Sequence, residues 1–361
     1  MIYLDYQATT PLAPEARDAM LPWLGGPETM GFGNPHSPHR MGRMAAAAVE
    51  VAREQVAALL PPGGRVIFTS GATEAINLAI KGAPQRGAIA VSAIEHAAVL
   101  DCAEAMRGGR EVAILPVNRD GLVSADASLP EGLDLLAVMQ VNNEIGTIQP
   151  IEALAKAAHA AGALFLCDAV QGAGKLAAPA NADLIAISAH KLYGPKGIGA
   201  LWVRDGISLD PQMHGGGQEQ GLRSGTLSPA LCAGFGAAAK LAKERMEADA
   251  AHVGALWTRA RELFAGWTLN GSADARWKGN LNIRRDGLDV ARLMSDLRDV
   301  CFSAGSACAS GSGRPSHVLR ALGLSDAQAK SSIRIGFGRY TTLEEIEEAA
   351  GKISRAAAAQ D

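Results

Sequence analysis

Aromatic side chains are scarce in this sequence. Five Trp, four Tyr and seven Phe make up 4 % of 361 residues, too few for the stacked platforms that grip single-stranded nucleic acid. A dominant charge is also missing. The 34 Lys and Arg nearly balance the 37 Asp and Glu, and a net charge of −3 gives no reason to expect nucleic acid or a membrane surface as partner. No apolar run approaches the roughly 20 residues that a bilayer-spanning helix needs. The opening MIYLDYQATT has no basic stretch ahead of an apolar one, so no secretory leader is expected. Cysteine is sparse and unpatterned. Cys102, Cys167, Cys232, Cys301 and Cys308 are odd in number and form no C-x-x-C pair, which argues against a disulfide framework or a metal site of zinc type. The expected compartment is reducing and cytoplasmic.

Glycine, at 41 residues, and alanine are abundant, permitting tight turns and close helix packing. Between about residue 40 and residue 205 the pattern alternates. Met41–Leu60 has apolar residues at helical spacing and stops at Pro61. Val66–Phe68, Ile89–Val91, Leu135–Val141, Ala163–Cys167, Leu184–Ile187 and Ile198–Val203 read as strands, with Glu95–Met106 and Ile151–Ala161 as helices among them. Strands separated by helices imply right-handed crossovers and an α/β fold with a mainly parallel sheet. From Pro229 to about Phe264 a long Ala-rich helical stretch, with room for a break, leads out of this unit. Beyond it Leu281–Ile283 and Val300–Ser303 read as strands of a smaller α+β unit, and Thr342 with Glu345 has capping-box spacing. The expected division is a large domain over 15–245 and a small one from 1–14 and 246–361.

Two charged residues stand where apolar strands end. Asp168 follows Ala163–Cys167, and Lys191 follows Leu184–Ile187 within ISAHKLYGPKGIG. A buried carboxylate is costly without a cationic or donor partner. An amine in such a place can lose its proton by desolvation and attack a carbonyl. An amine and an acid delivered to one crevice are what pyridoxal phosphate requires, the first for its aldehyde and the second for its ring nitrogen. The plainer alternatives are a turn-capping Asp and a solvated Lys.

Other segments fit that reading. TSGATEAINLAIKG places a Gly-Ala-Thr turn at a helix start, where backbone N–H groups and Thr73 suit a phosphate; an ordinary cap at Ser70 or Thr73 is the alternative. Ser188 and His190 flank Lys191 and offer further donors. His96 follows a strand and is placed to lie over a flat ring, while His214 sits in a Gly-rich loop. Asn143, in the polar loop NNEIGTIQ, can reach a ring oxygen, or the loop is merely held by an Asn side chain. Cys308 lies among Ser, Ala and Gly, a setting that suits a reaching nucleophile or an incidental thiol. Arg334, in SSIRIGFG, can clamp a carboxylate with two hydrogen bonds or serve as an ion-pair partner.

Taken together, YLDYQATT, GNPHS, TSGATEAINLAIKG, EHAAVL, VNNEIGTIQP, CDAVQGAGK, SAHKLYGPKG, HGGGQEQGLRSGT, SAGSACASGS, PSHVLRALGL and SIRIGFGR resemble the cysteine desulfurases of the NifS/IscS type, on the class V aminotransferase fold. The resemblance runs nearly end to end. It implies the fold-type I architecture of pyridoxal-phosphate transferases, with Lys191 as covalent anchor and Asp168 at the ring nitrogen. Gln171 and Asn143 would contact the ring oxygen, and His96 would stack on the ring and assist proton transfer. Ala72, Thr73, Ser188 and His190 would hold the phosphate, and Thr226 would reach the phosphate of the neighbouring subunit, implying a homodimer. Arg334 and Asn143 would bind the substrate carboxylate, and Cys308 would accept sulfur from L-cysteine for delivery to a protein such as an iron–sulfur scaffold. A selenocysteine lyase or an aminotransferase on the same fold, and a non-catalytic relative, are the rival readings. Gln7, Ala189 and Leu222 depart from the residues usual in these motifs.

Overall fold

Short aliphatic runs closed by polar or glycine residues form the central strands. The computed structural model describes residues 1–305 and 315–360. Its main sheet has seven strands in the order 64–69, 199–204, 184–188, 164–168, 133–137, 88–92 and 112–115. Only Gly199–Arg204 runs against the rest, pairing antiparallel with both neighbours. A parallel pairing needs a crossover of a dozen or more residues. The connection from Ser188 to Gly199 is shorter and carries no crossover helix, so the chain turns straight back. Lys191 sits in that turn.

Both faces of the sheet are covered. Phe68, Phe165 and Trp202 pack on one side with Val49, Val56 and Phe235 of the helices Arg40–Ala57 and Pro229–Leu263. Ile67, Leu166 and Leu201 point to the other side, against Ile76 and Ile80 of Ala72–Gly82 and Val99 of Ala97–Met106. Adjacent residues such as Ile67 and Phe68 join opposite clusters because strand side chains alternate. A separate cluster holds Leu4, Phe264, Leu281, Ile333, Ile335 and Ile346, built on a four-stranded sheet and the helix Leu343–Ala358. Thr342 and Glu345 form the expected capping box at that helix.

Several elements differ from the sequence expectation. Pro229–Leu263 is one helix of 35 residues, without a break. Its glycines serve packing. A Cβ at Gly234 would meet the Met20 side chain, and one at Gly236 would meet Ala52. The strand expected over Leu135–Val141 is Leu133–Ala137. Val138 and Gln140 still donate to the Leu166 and Asp168 carbonyls, but the Met139 N–H goes to the Glu95 carboxylate at 2.9 Å and Val141 pairs with Ile148. The helix expected from Glu95 starts at Ala97, with His96 as its cap. Val300–Ser303 is split into Val300–Cys301, which pairs with Ile2–Tyr3, and Ser303–Ala304, which pairs with Ser332–Gly336.

Candidate active site

A cavity of about 460 Å³ opens at the carboxyl ends of the central strands. That is where open α/β sheets bind ligands, because loops diverge there. Asp168 closes one strand, Ser188 closes its neighbour, and both line the cavity. Lys191 lines it from the 3-10 turn Ala189–Lys191. Its Nζ donates to the carbonyls of Gln7 at 2.5 Å and Ala8 at 2.6 Å, so the N-terminal segment crosses this end of the site. Two residues on, Tyr193 adopts φ 68°, a left-handed conformation costly for a bulky residue. Hydrogen bonds to Thr10 Oγ1 and from the Arg339 N–H hold it there.

Asp168 is 6 % exposed. Its Oδ1 accepts the Val170 N–H at 2.9 Å, so the turn-capping role is real. It is not the whole account. Burial pushes this carboxyl above the usual carboxylate range, against the pull of the Val170 hydrogen bond, His96 and Lys191. A cation bound in the cavity would relieve that cost.

The helix Ala72–Gly82 starts on the cavity wall. Its cap residue is Gly71, and no side chain caps it. The Ser70 hydroxyl makes no cap bond, and the Ser70 N–H donates to the Glu74 carboxylate at 2.7 Å. The first-turn N–H groups therefore stay available for an anion beside Ala72 and Thr73. His190 completes this end. Its Nδ1 lies 3.1 Å from Thr9 Oγ1, and burial with nearby Lys191, Lys196 and Lys175 pushes its pKa down to about 4. It is a neutral hydrogen-bonding group at neutral pH.

His96 Nδ1 accepts the Ala98 N–H at 3.1 Å, which leaves the proton of the neutral ring on Nε2. Gln171 donates to the Gln7 carbonyl at 3.0 Å, and its Oε1 is buried without a partner. In the polar loop two neighbouring Asn side chains divide the roles. Asn142 Oδ1 accepts the N–H groups of Glu144 and Ile145 and holds the turn, while Asn143 lines the cavity. Arg334 reaches the cavity from the other sheet, 1 % exposed and paired with Asp5 at 2.7 Å.

Ala72, Thr73, His96, Asn143, Asp168, Gln171, Ser188, His190, Lys191 and Arg334 thus share one cavity. Thr226 and His214 are exposed and outside it. Cys308 lies outside the described residues. Sequence reasoning missed Glu95, which sits beneath this site. Its Oε1 accepts from Ser92 Oγ at 2.5 Å and from Met139, its Oε2 is buried without a partner, and burial pushes its pKa up to about 8. The available signal was an acidic residue so soon after a buried strand. Its native pKa lies above the ordinary 4.5, so the folded state holds a proton that the unfolded chain releases. Stability therefore falls as pH rises from about 4.5 to about 8 and levels off above. Glu95→Gln is expected to flatten the fall in melting temperature over that range, measured by thermal unfolding in a pH series.

Residues 2–348 match the family model described as aminotransferase class-V. The chain belongs to the class-V aminotransferase family. Within it, the chain is similar to a protein of Vibrio vulnificus (strain YJ016) named cysteine desulfurase IscS, 46 % identical over 377 residues, covering 99 % of this chain and 93 % of the relative. A solved structure titled NifS-like protein superposes with a TM-score of 0.89 at 31 % identity, covering 98 % of each chain. Another, titled SspA in complex with cysteine, gives a TM-score of 0.82 at 34 % identity over 95 % of this chain and all (100 %) of that one. The chain is a class-V member of the cysteine desulfurase type, and pyridoxal phosphate is its cofactor. The residues present fit that group: a buried acid short of a cation, a lysine, and an uncapped helix start with neutral donors.

Proposed function

We propose that this class-V enzyme converts L-cysteine to L-alanine and leaves the sulfur as a persulfide on Cys308. The observation that carries the reading is the convergence of Lys191, Asp168 and Arg334 on one cavity. Lys191 would anchor the cofactor, Asp168 would pair with its ring nitrogen, and Gln171 and Asn143 would meet its ring oxygen. Ala72, Thr73, Ser188 and His190 would hold its phosphate, and His96 would stack on its ring. When bound, pyridoxal phosphate supplies an electron sink that acidifies the substrate Cα–H bond.

The chain's own groups do the rest. Arg334, with Asn143, binds the substrate carboxylate. The Lys191 amine takes the Cα proton. The Cys308 thiolate attacks the substrate sulfur; an S–S bond forms, the Cβ–S bond breaks, and its electron pair stays on Cβ. Protonation at Cβ makes the methyl group, and the proton held by Lys191 returns to Cα, which completes alanine. Cysteine and a thiol thereby become alanine and a persulfide, with no external oxidant or reductant.

The reading includes a homodimer, in which Thr226, exposed and outside its own cavity, would reach the phosphate of the partner's site. The division into domains at 15–245, with 1–14 and 246–361, has support in the long helix. Its buried residues up to Ala242 pack in one core, and those from Val253 pack in another. The acceptor of the sulfur is a scaffold for iron–sulfur assembly, and the compartment is cytoplasmic. Among the described residues no helix is long and apolar enough to cross a membrane. Mass spectrometry after exposure to L-cysteine tests the reading. One added sulfur atom is expected on Cys308, and Cys308→Ser should carry none while keeping the cofactor absorbance. A persulfide formed normally in that variant would exclude Cys308 as the acceptor.

A further inference from the structure

Arg334 occupies the middle of Ser332–Gly336, opposite Asn282 on one side and Ser303 on the other. A guanidinium this deeply buried is strongly unfavourable unless it is paired and hydrogen-bonded. Its partner comes from the far end of the chain. The Leu4 carbonyl accepts the Gly336 N–H at 2.8 Å, and Asp5 bridges Gly336, which brings the Asp5 carboxylate alongside Arg334. Asp5 Oδ1 accepts from Arg334 Nη2 at 2.7 Å and from Ser303 Oγ at 2.8 Å. Arg334 Nη1 donates to the Asn143 carbonyl at 3.0 Å, and Nε is buried without a hydrogen-bond partner. Arg334 lines the cavity, and Asp5 does not.

We propose that Asp5 is the positioning residue of the carboxylate site, fixing the Arg334 guanidinium from behind without touching the substrate. This rests on Arg334 being the group that receives the substrate carboxylate. An arginine recognises a carboxylate through a planar fork, so orientation matters as much as charge. Asp5 and the Asn143 carbonyl each engage one terminal nitrogen, and together they fix the plane of that fork. Ser303 in turn fixes Asp5, so three chain segments hold one side chain.

The test uses the cofactor-loaded enzyme and two probes, L-alanine, which has the carboxylate, and ethylamine, which lacks it. Their affinities are read from the change in cofactor absorbance. Asp5→Ala is expected to weaken alanine about tenfold or more, roughly one hydrogen-bonded charge contact, while leaving ethylamine unchanged. The KM for L-cysteine should rise about as much, with kcat within about threefold, since binding is lost in ground and transition states alike. Asp5→Asn keeps an oxygen that accepts from both Arg334 and Ser303, and should recover most of the alanine affinity. Asp5→Glu keeps the charge but lengthens the arm, and should lose it. These two variants decide the matter even where Asp5→Ala fails to fold. Alanine affinity undiminished in Asp5→Ala or Asp5→Glu, or alanine and ethylamine weakened alike, would overturn the assignment. Arg334→Ala serves as control. Alanine binding that survives it would overturn the carboxylate reading of Arg334, and the role of Asp5 with it.

Discussion

Lys191→Ala is expected to reduce turnover of L-cysteine by at least about a thousandfold, because in the proposed function one side chain supplies both the covalent anchor and the base at Cα. The absorbance of the cofactor near the visible edge should also be lost with the anchoring amine, although Lys196 of the same turn also lines the cavity. A second effect comes from the hydrogen bonds of the same amine. Lys191 Nζ ties down the carbonyls of Gln7 and Ala8, and removing two such bonds costs about 1–3 kcal/mol. Lys191→Arg separates the two roles. Arginine keeps the charge and the donors, but its nitrogen is never deprotonated and serves as neither nucleophile nor base. It should restore melting temperature toward that of the unsubstituted protein without restoring turnover. Absorbance and turnover retained in Lys191→Ala would exclude Lys191 as the anchor.

The sequence made Lys191 and Asp168 legible because each is a charge set directly after an aliphatic run, a pattern that burial makes expensive. The helix start at Gly71 and the polar loop at Asn143 were legible for a similar reason: glycine and amide clusters after strands mark the loops where α/β sheets bind ligands. What could not be read were groups whose meaning depends on distant partners. Glu95 meets Met139 across 44 positions, and Asp5 meets Arg334 across 329. Neither spacing has a local periodicity to reveal it. Glu95 also explains the overlong strand expected over Leu135–Val141: the apolar pattern continues there, but a buried carboxylate takes the Met139 N–H that a ladder would have used. In the same way the role of Gly234 and Gly236 is visible only from their neighbours on other elements, which show that they admit close packing. Gln7, a departure from the usual motif, proves central: its side chain donates to the Gly279 carbonyl at 2.8 Å, and its carbonyl receives both Lys191 and Gln171.

Asp168→Asn should have opposite effects on the empty protein and on the enzyme. In the cofactor-free fold the Asp168 carboxyl is held above its ordinary pKa by burial. The native state then binds a proton more tightly than the unfolded chain, so stability falls as pH rises through the interval between the two values. Above both values that penalty is present in full. Asparagine keeps the shape and the oxygen for Val170 but carries no charge, so the cofactor-free variant should melt a few degrees higher than the parent, about 1–4 °C. In the proposed function the carboxylate would pair with the ring nitrogen of bound pyridoxal phosphate, and deleting one member of a buried pair costs about 3–5 kcal/mol. That corresponds to a loss of about two to four powers of ten in turnover. Glu95 makes the argument sharper. Asp168 adds to the burial that raises the Glu95 pKa, so neutralising Asp168 should let Glu95 ionise at lower pH and move the alkaline end of the stability profile downward. Melting curves of cofactor-free Asp168→Asn across pH, set beside its turnover with cofactor, check both signs. A variant that is less stable when empty would overturn the burial penalty, and one that turns over at the parent rate when loaded would leave Asp168 an ordinary turn residue, with its Val170 hydrogen bond as its purpose.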